Sequence, residues 1–118
     1  MTINELKKLH EKATQAAEKA TADFLGAYKQ ENPNCPYGEP MFPCGFAWVD
    51  IFVDLRSKEG KLMKEAGFEK RMFGRGFKVY NPSGHRGQNI DAKLHGACAY
   101  ADVMRDNGFN AIVFDRLD

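Results

Sequence analysis

The chain has 118 residues, 43% of them hydrophobic, and 17 Lys and Arg stand against 16 Asp and Glu. That length fits one domain, residues 1–118, with enough core to fold without staples, and the near-neutral balance excludes a broadly basic nucleic-acid binder while leaving room for a local basic patch. No apolar run approaches the roughly 20 residues of a membrane-spanning helix, and the opening "MTINELKKLHEK" is polar and helical rather than signal-like, so the expected setting is cytoplasmic.

Residues 1–31 read as an N-terminal helix. Leu6, Leu9, Ala13, Ala16, Ala20, Phe24 and Ala27 recur at three- and four-residue steps and make one apolar stripe, with Thr2 or Asn4 available to cap the start. Residues 32–45 form a loop carrying Pro33, Pro36, Pro40 and Pro43, because proline lacks the amide that a helix or central strand needs. "FAWVDIFVD", 46–54, is the strongest strand. Ala47, Val49, Ile51 and Val53 share one face, and Phe46, Trp48, Asp50, Phe52 and Asp54 share the other, so the strand is expected to be central. A short helix follows over 57–66, with Ser57 as N-cap and Gly67 as stop. The stretch "FEKRMFGRGFKVY" predicts a hairpin of Phe68–Phe73 and Phe77–Tyr80 about Gly74 and Gly76. Residues 90–107 form a second long helix, stopped by Gly108 and placing Cys98 in the core, and "FNAIVF", 109–114, is the last strand.

The core, 46–118, therefore runs β-α-β-β-α-β behind a leading helix. This is an α+β, ferredoxin-like order, with a three-stranded α/β layer as the alternative if the hairpin is wrong. Right-handed crossovers put both crossover helices on one side of the sheet. Trp48, Phe52 and Tyr80 then fall on the other face, to be covered by the leading helix, a second subunit or a ligand. The alanine stripe and the two-sided apolar first strand predict a two-fold homodimer.

Two places carry chemistry. The loop "NPSGHRGQNID" joins a central strand to a helix start, where free amides and the helix dipole favour an anion. Ser83, Gly84, His85, Arg86, Gly87, Gln88 and Asn89 are its candidate ligands for a phosphate or carboxylate, although the spacing is neither a Walker loop nor GxGxxG. The alternative there is a turn-rich connection in which Asn89 or Asp91 caps the helix. The second place is the sheet face and its surroundings. Phe42, Trp48, Arg71, Phe73, Arg75 and Tyr80 combine aromatic and arginine side chains, the types that dominate binding energy at interfaces. "RGFKVY", 75–80, resembles in part the third-strand motif of RNA-recognition domains through Arg75, Gly76 and Phe77, then departs at Lys78 and Pro82. Cys35, Cys44 and Cys98 are odd in number and widely spaced, so reduced thiols are expected. No metal site, catalytic constellation or cofactor is expected.

Stretches in the second half are similar to small uncharacterised proteins encoded by bacteriophages and prophages: "PCGFAWV" (43–49), "YNPSG" (80–84), "QNIDAK" (88–93), "GACAYADVMRDNGFNA" (96–111) and the terminal "RLD" (116–118). The resemblance implies a phage origin and action in the host cytoplasm, and carries no activity with it. The reading that follows is a small non-catalytic accessory protein that binds a host or viral macromolecule, a protein before a nucleic acid. The alternatives are an anion- or nucleotide-binding protein or small enzyme using the 81–89 loop, and an RNA-binding sheet platform.

Overall fold

The computed structural model describes residues 1–34 and 44–118. Its elements are α1 (Ile3–Glu31), β1 (Gly45–Phe52), α2 (Lys58–Glu65), β2 (Glu69–Lys70), β3 (Phe77–Tyr80), α3 (Ile90–Asp106) and β4 (Asn110–Leu117). The strands lie in the order β2-β3-β1-β4, antiparallel at every pairing. This is the expected α+β arrangement, with the first and third strands of the βαββαβ core in the middle. It departs from an even ferredoxin-like sheet at β2, which is two residues long.

Thr2 caps α1 through a capping box. Its hydroxyl accepts from the Glu5 amide at 3.1 Å, and the Thr2 amide donates to Glu5 Oε1 at 3.3 Å. The buried stripe runs Leu6, Leu9, Ala13, Ala17, Thr21, so its second half lies one residue off the expected Ala16 and Ala20. Small residues let α1 lie close along α3, antiparallel to it. The Thr21 hydroxyl donates to the Ala92 carbonyl at 2.7 Å, and His10 Nδ1 meets the Tyr100 hydroxyl at 2.6 Å. A Cβ on Gly96 would come within 2.7 Å of both Ser83 Cβ and Thr21 Oγ1, so only glycine fits where α1, α3 and the 81–89 loop meet.

The core is one cluster. Ala47, Val49 and Ile51 of β1, Phe77 of β3 and Ala111 of β4 meet Met63 of α2, Tyr100, Ala101 and Met104 of α3, and Leu6 and Leu9 of α1. Fully burying a side chain such as Leu6 or Ile51 contributes roughly 1.5–3 kcal/mol. All three helices therefore occupy one side of the sheet, and α1 leaves the opposite face uncovered.

Several boundaries differ from expectation. The first hairpin strand ends at Lys70, because Arg71 turns toward β1 and residues 71–76 form the loop. That loop closes tightly: Gly76 sits at φ 111°, and a Cβ there would lie 2.2 Å from the Ile51 carbonyl oxygen. β4 runs on to Leu117, held at its end by the Asp118 amide on the Cys44 carbonyl at 3.1 Å. Cys98 is exposed, and Tyr100 takes the core position. Cys35 and Phe42 lie outside the described residues.

Candidate macromolecule-binding face

Period-two alternation sends Phe46, Trp48, Asp50 and Phe52 of β1 away from the helices. Register then sets their neighbours: Trp48 lies opposite Tyr80 and Phe114, Asp50 opposite Lys78 and Ile112, and Phe46 opposite Arg116. The helix-free face is thus a band of aromatic rings crossed by cations. Trp48 stands nearly parallel to Phe114, centroids 6.0 Å apart at 17°, and the Lys78 ammonium lies 4.6 Å from the Trp48 ring centre and 5.9 Å from that of Tyr80. Phe46 is 6.1 Å from Tyr80, with the Lys93 ammonium at 5.2 Å and the Arg116 guanidinium at 5.7 Å. Phe46, Trp48, Lys78, Tyr80 and Arg116 line one concavity. Tyr80 is 51% exposed, and Ile112 and Phe114 about two-fifths.

A buried charge sits beside this band. The Asp50 side chain is 7% exposed and pairs with Arg71 Nε at 3.3 Å, and the Arg71 guanidinium lies 4.5 Å from the Phe52 ring centre. Arg71 therefore offsets a carboxylate that would otherwise repel an anionic ligand, and is itself partly committed by doing so.

The expected binding residues divide. Trp48 and Tyr80 sit at the centre of the face, and Arg71 folds onto its edge. Phe73 and Arg75 stand exposed in the hairpin loop, Phe73 at 80%. Phe42 is outside the described residues. Arg116 falls beyond the expected end of the last strand at Phe114, and Phe114 lies inside the expected strand without being assigned to this face. Carrying its alternation through "DRL" puts Arg116 on the same face as Phe114 and Ile112, and the register with β1 then sets them beside Phe46, Trp48 and Asp50.

The 81–89 loop is tied into its own turns. Asn81 adopts φ 45°, and its carbonyl accepts from the Gly84 amide at 2.9 Å. The His85 amide donates to Ser83 Oγ at 3.4 Å, and Asn81 Nδ2 to the His85 carbonyl at 2.9 Å. Gln88 accepts from the Gly45 amide and from the Cys44 thiol. Asn89 Oδ1 takes the Asp91 and Ala92 amides at 2.8 and 3.4 Å, so two donors expected to face an anion already serve as the helix cap. Asn81 Oδ1 and Asn89 Nδ2 are each buried without a partner among the described residues. Arg86 and Gln88 are exposed and Gly87 half-buried.

On the helix side, burial lowers the His10 pKa from its ordinary value and raises that of the Tyr100 hydroxyl, which favours the neutral pair. No helix among the described residues is long and apolar enough to cross a membrane. Comparison with known proteins finds no matching family model, no matching curated protein and no matching solved structure.

Proposed function

We propose that this chain is a non-catalytic binding protein whose contact surface is the helix-free face of its sheet, and that the macromolecule it takes is a single-stranded nucleic acid. What carries the reading is the band of Phe46, Trp48, Tyr80 and Phe114 interleaved with Lys78 and Arg116. Bases stack on aromatic side chains whatever their sequence, and neighbouring cations hold the phosphates. Lys78 is long enough to leave the Trp48 ring for a phosphate and free a face for a base. A phage origin and a cytoplasmic setting accord with a short chain that acts by binding. The sheet face is preferred to the 81–89 loop because so many of that loop's polar groups serve its own turns and the α3 cap.

Trp48 is the only tryptophan in the chain, so its emission reports directly on the face. Titration with single-stranded RNA and DNA oligonucleotides is expected to quench it, with affinity falling as salt rises. Trp48→Ala or Tyr80→Ala, followed by anisotropy of a labelled oligonucleotide, should cost about 1–3 kcal/mol of binding per lost stack. Arg86→Ala with Gln88→Ala should leave binding unchanged. Oligonucleotides that alter neither emission nor anisotropy would refute the reading.

A protein partner is the second reading. It is favoured by Met72 and Phe73, 86% and 80% exposed beside Arg75 at the hairpin tip. A captured protein released by Met72→Ser with Phe73→Ser, alongside oligonucleotides that do not bind, would support it.

A further inference from the structure

β4 is an outer strand of the sheet and eight residues long. The direction of its main-chain groups follows from antiparallel alternation. The Asp118 amide bonds the Cys44 carbonyl, so the even-numbered residues of β4 face β1, and Ala111, Val113, Asp115 and Leu117 turn their amides and carbonyls outward. Arg105 Nε from the end of α3 caps the outward Ala111 carbonyl at 2.7 Å. From Val113 to Leu117 the outward groups have no partner among the described residues. Ile112, Phe114 and Leu117 are exposed along the same strand, Leu117 at 65%. An outer strand of this length and character is a template for another strand.

We propose that β4 pairs with β4 of a second copy of this chain, antiparallel, about a two-fold axis at Phe114. Charge supports a second copy as the occupant. Arg105, whose Nη1 also pairs with Asp102 at 3.1 Å, marks the Ala111 end of the outer edge and Asp115 lies further along it, so a two-fold axis carries each Asp115 toward the other copy's Arg105 as a second carboxylate on that guanidinium. The register follows by elimination. An axis at Asp115 would set two carboxylates opposite one another, and an axis at Val113 would leave only the Val113 pair itself clear of the Ala111 carbonyl that Arg105 already holds, whereas an axis at Phe114 leaves two such pairs clear of it. With the axis at Phe114, Val113 and the partner's Asp115 exchange both main-chain bonds, and the symmetric pair does the same. Phe114 meets its own copy at the closely spaced position, and Ile112 lies opposite the partner's Arg116, whose stem covers it. The two sheets become one, and the two aromatic faces become a single continuous surface. The alanine stripe of α1, buried on α3, takes no part.

The test is sedimentation velocity of the whole chain over a wide concentration range. Wild type is expected to dimerise. Asp115→Arg and Arg105→Asp should each be monomeric, since each sets like charges across the axis, and the two together should restore the dimer. Asp115→Pro removes an outward amide without touching the ladder to β1, and should also be monomeric while keeping a wild-type circular dichroism spectrum and a cooperative thermal melt. A wild type that stays monomeric throughout overturns the proposal. So does a dimer indifferent to Asp115→Pro, or a double variant that fails to recover while both single variants remain folded. Trp48 quenching by oligonucleotide, measured on monomeric Asp115→Pro, reports on the binding face independently of this result.

Discussion

Replacing Arg71 with methionine should destabilise the fold by about 3 kcal/mol. Asp50 is almost fully enclosed, its Oδ1 has no partner among the described residues, and Arg71 Nε at 3.3 Å is the cation that offsets its charge. Removing one member of a buried pair costs about 3–5 kcal/mol, because the other is left as an uncompensated charge. Arg71 keeps about a quarter of its side chain in solvent, which places this pair at the lower end. The same side chain lies on Phe52 and donates through Nη1 to the Arg75 carbonyl at 3.0 Å, so its loss also loosens the hairpin loop. Against a typical domain stability of about 5–15 kcal/mol the effect is large, and it should lower a urea midpoint by roughly 1–3 M. The diagnostic measurement is a double-mutant cycle. Asp50→Leu with Arg71→Met removes both charges and should recover most of the loss, since an apolar replacement of a buried pair is often neutral or stabilising. Arg71→Met within about 0.5 kcal/mol of wild type, or a double variant whose loss is the plain sum of the two single losses, would refute the reasoning.

His10 makes stability depend on pH. Burial lowers its folded pKa, so the unfolded chain takes up the proton more readily, and stability should fall as pH drops through the ordinary value of 6.5 toward the lower folded value. Melting curves taken across that window, above the carboxylate range, should show the fall in wild type and its loss in His10→Gln. Asn89→Ala removes the α3 cap from a residue only 1% exposed and should cost about 1–2 kcal/mol in urea unfolding. Asn89→Asp, which keeps an acceptor at the same place, should lose much less.

Much of this fold is legible wherever local pattern and tertiary packing agree. In "FAWVDIFVD" the alternation alone separates Ala47, Val49 and Ile51 from Trp48 and Phe52, and the separation holds because both edges of β1 are paired with neighbouring strands, which leaves one face to the helices and the other free. Legibility fails where a residue's partner is distant in sequence. Nothing near Arg71 says that it leaves the hairpin for Asp50. Phe68 likewise leaves the hairpin, turning inward against His10 and Phe77. In α3 the small residues blur the helical phase, so Cys98 reads as core when the buried side is Ala97, Tyr100, Ala101 and Met104. The last strand reads as ending at Phe114 because the apolar run stops there and the charged Asp115 and Arg116 follow. An outer strand tolerates both charges, since one side of each remains in water.

The composition of the helix-free face bears on its ligand. A helix or a second sheet seated permanently there would strip water from Arg71, Lys78 and Arg116 together, and desolvating charges is costly even when they are paired. The amphipathic α1 was the chain's own candidate to cover it, yet α1 lies on α3, where Gly96 and Ala97 admit a close approach and Thr21 finds a carbonyl. A single-stranded nucleic acid offers this face planar apolar bases for its rings and phosphates for its ammonium and guanidinium groups, so Lys78 and Arg116 exchange water for a charged acceptor rather than for hydrocarbon. The mixture of rings and cations, which counts against a permanent apolar cover, is what favours a polar, charged ligand.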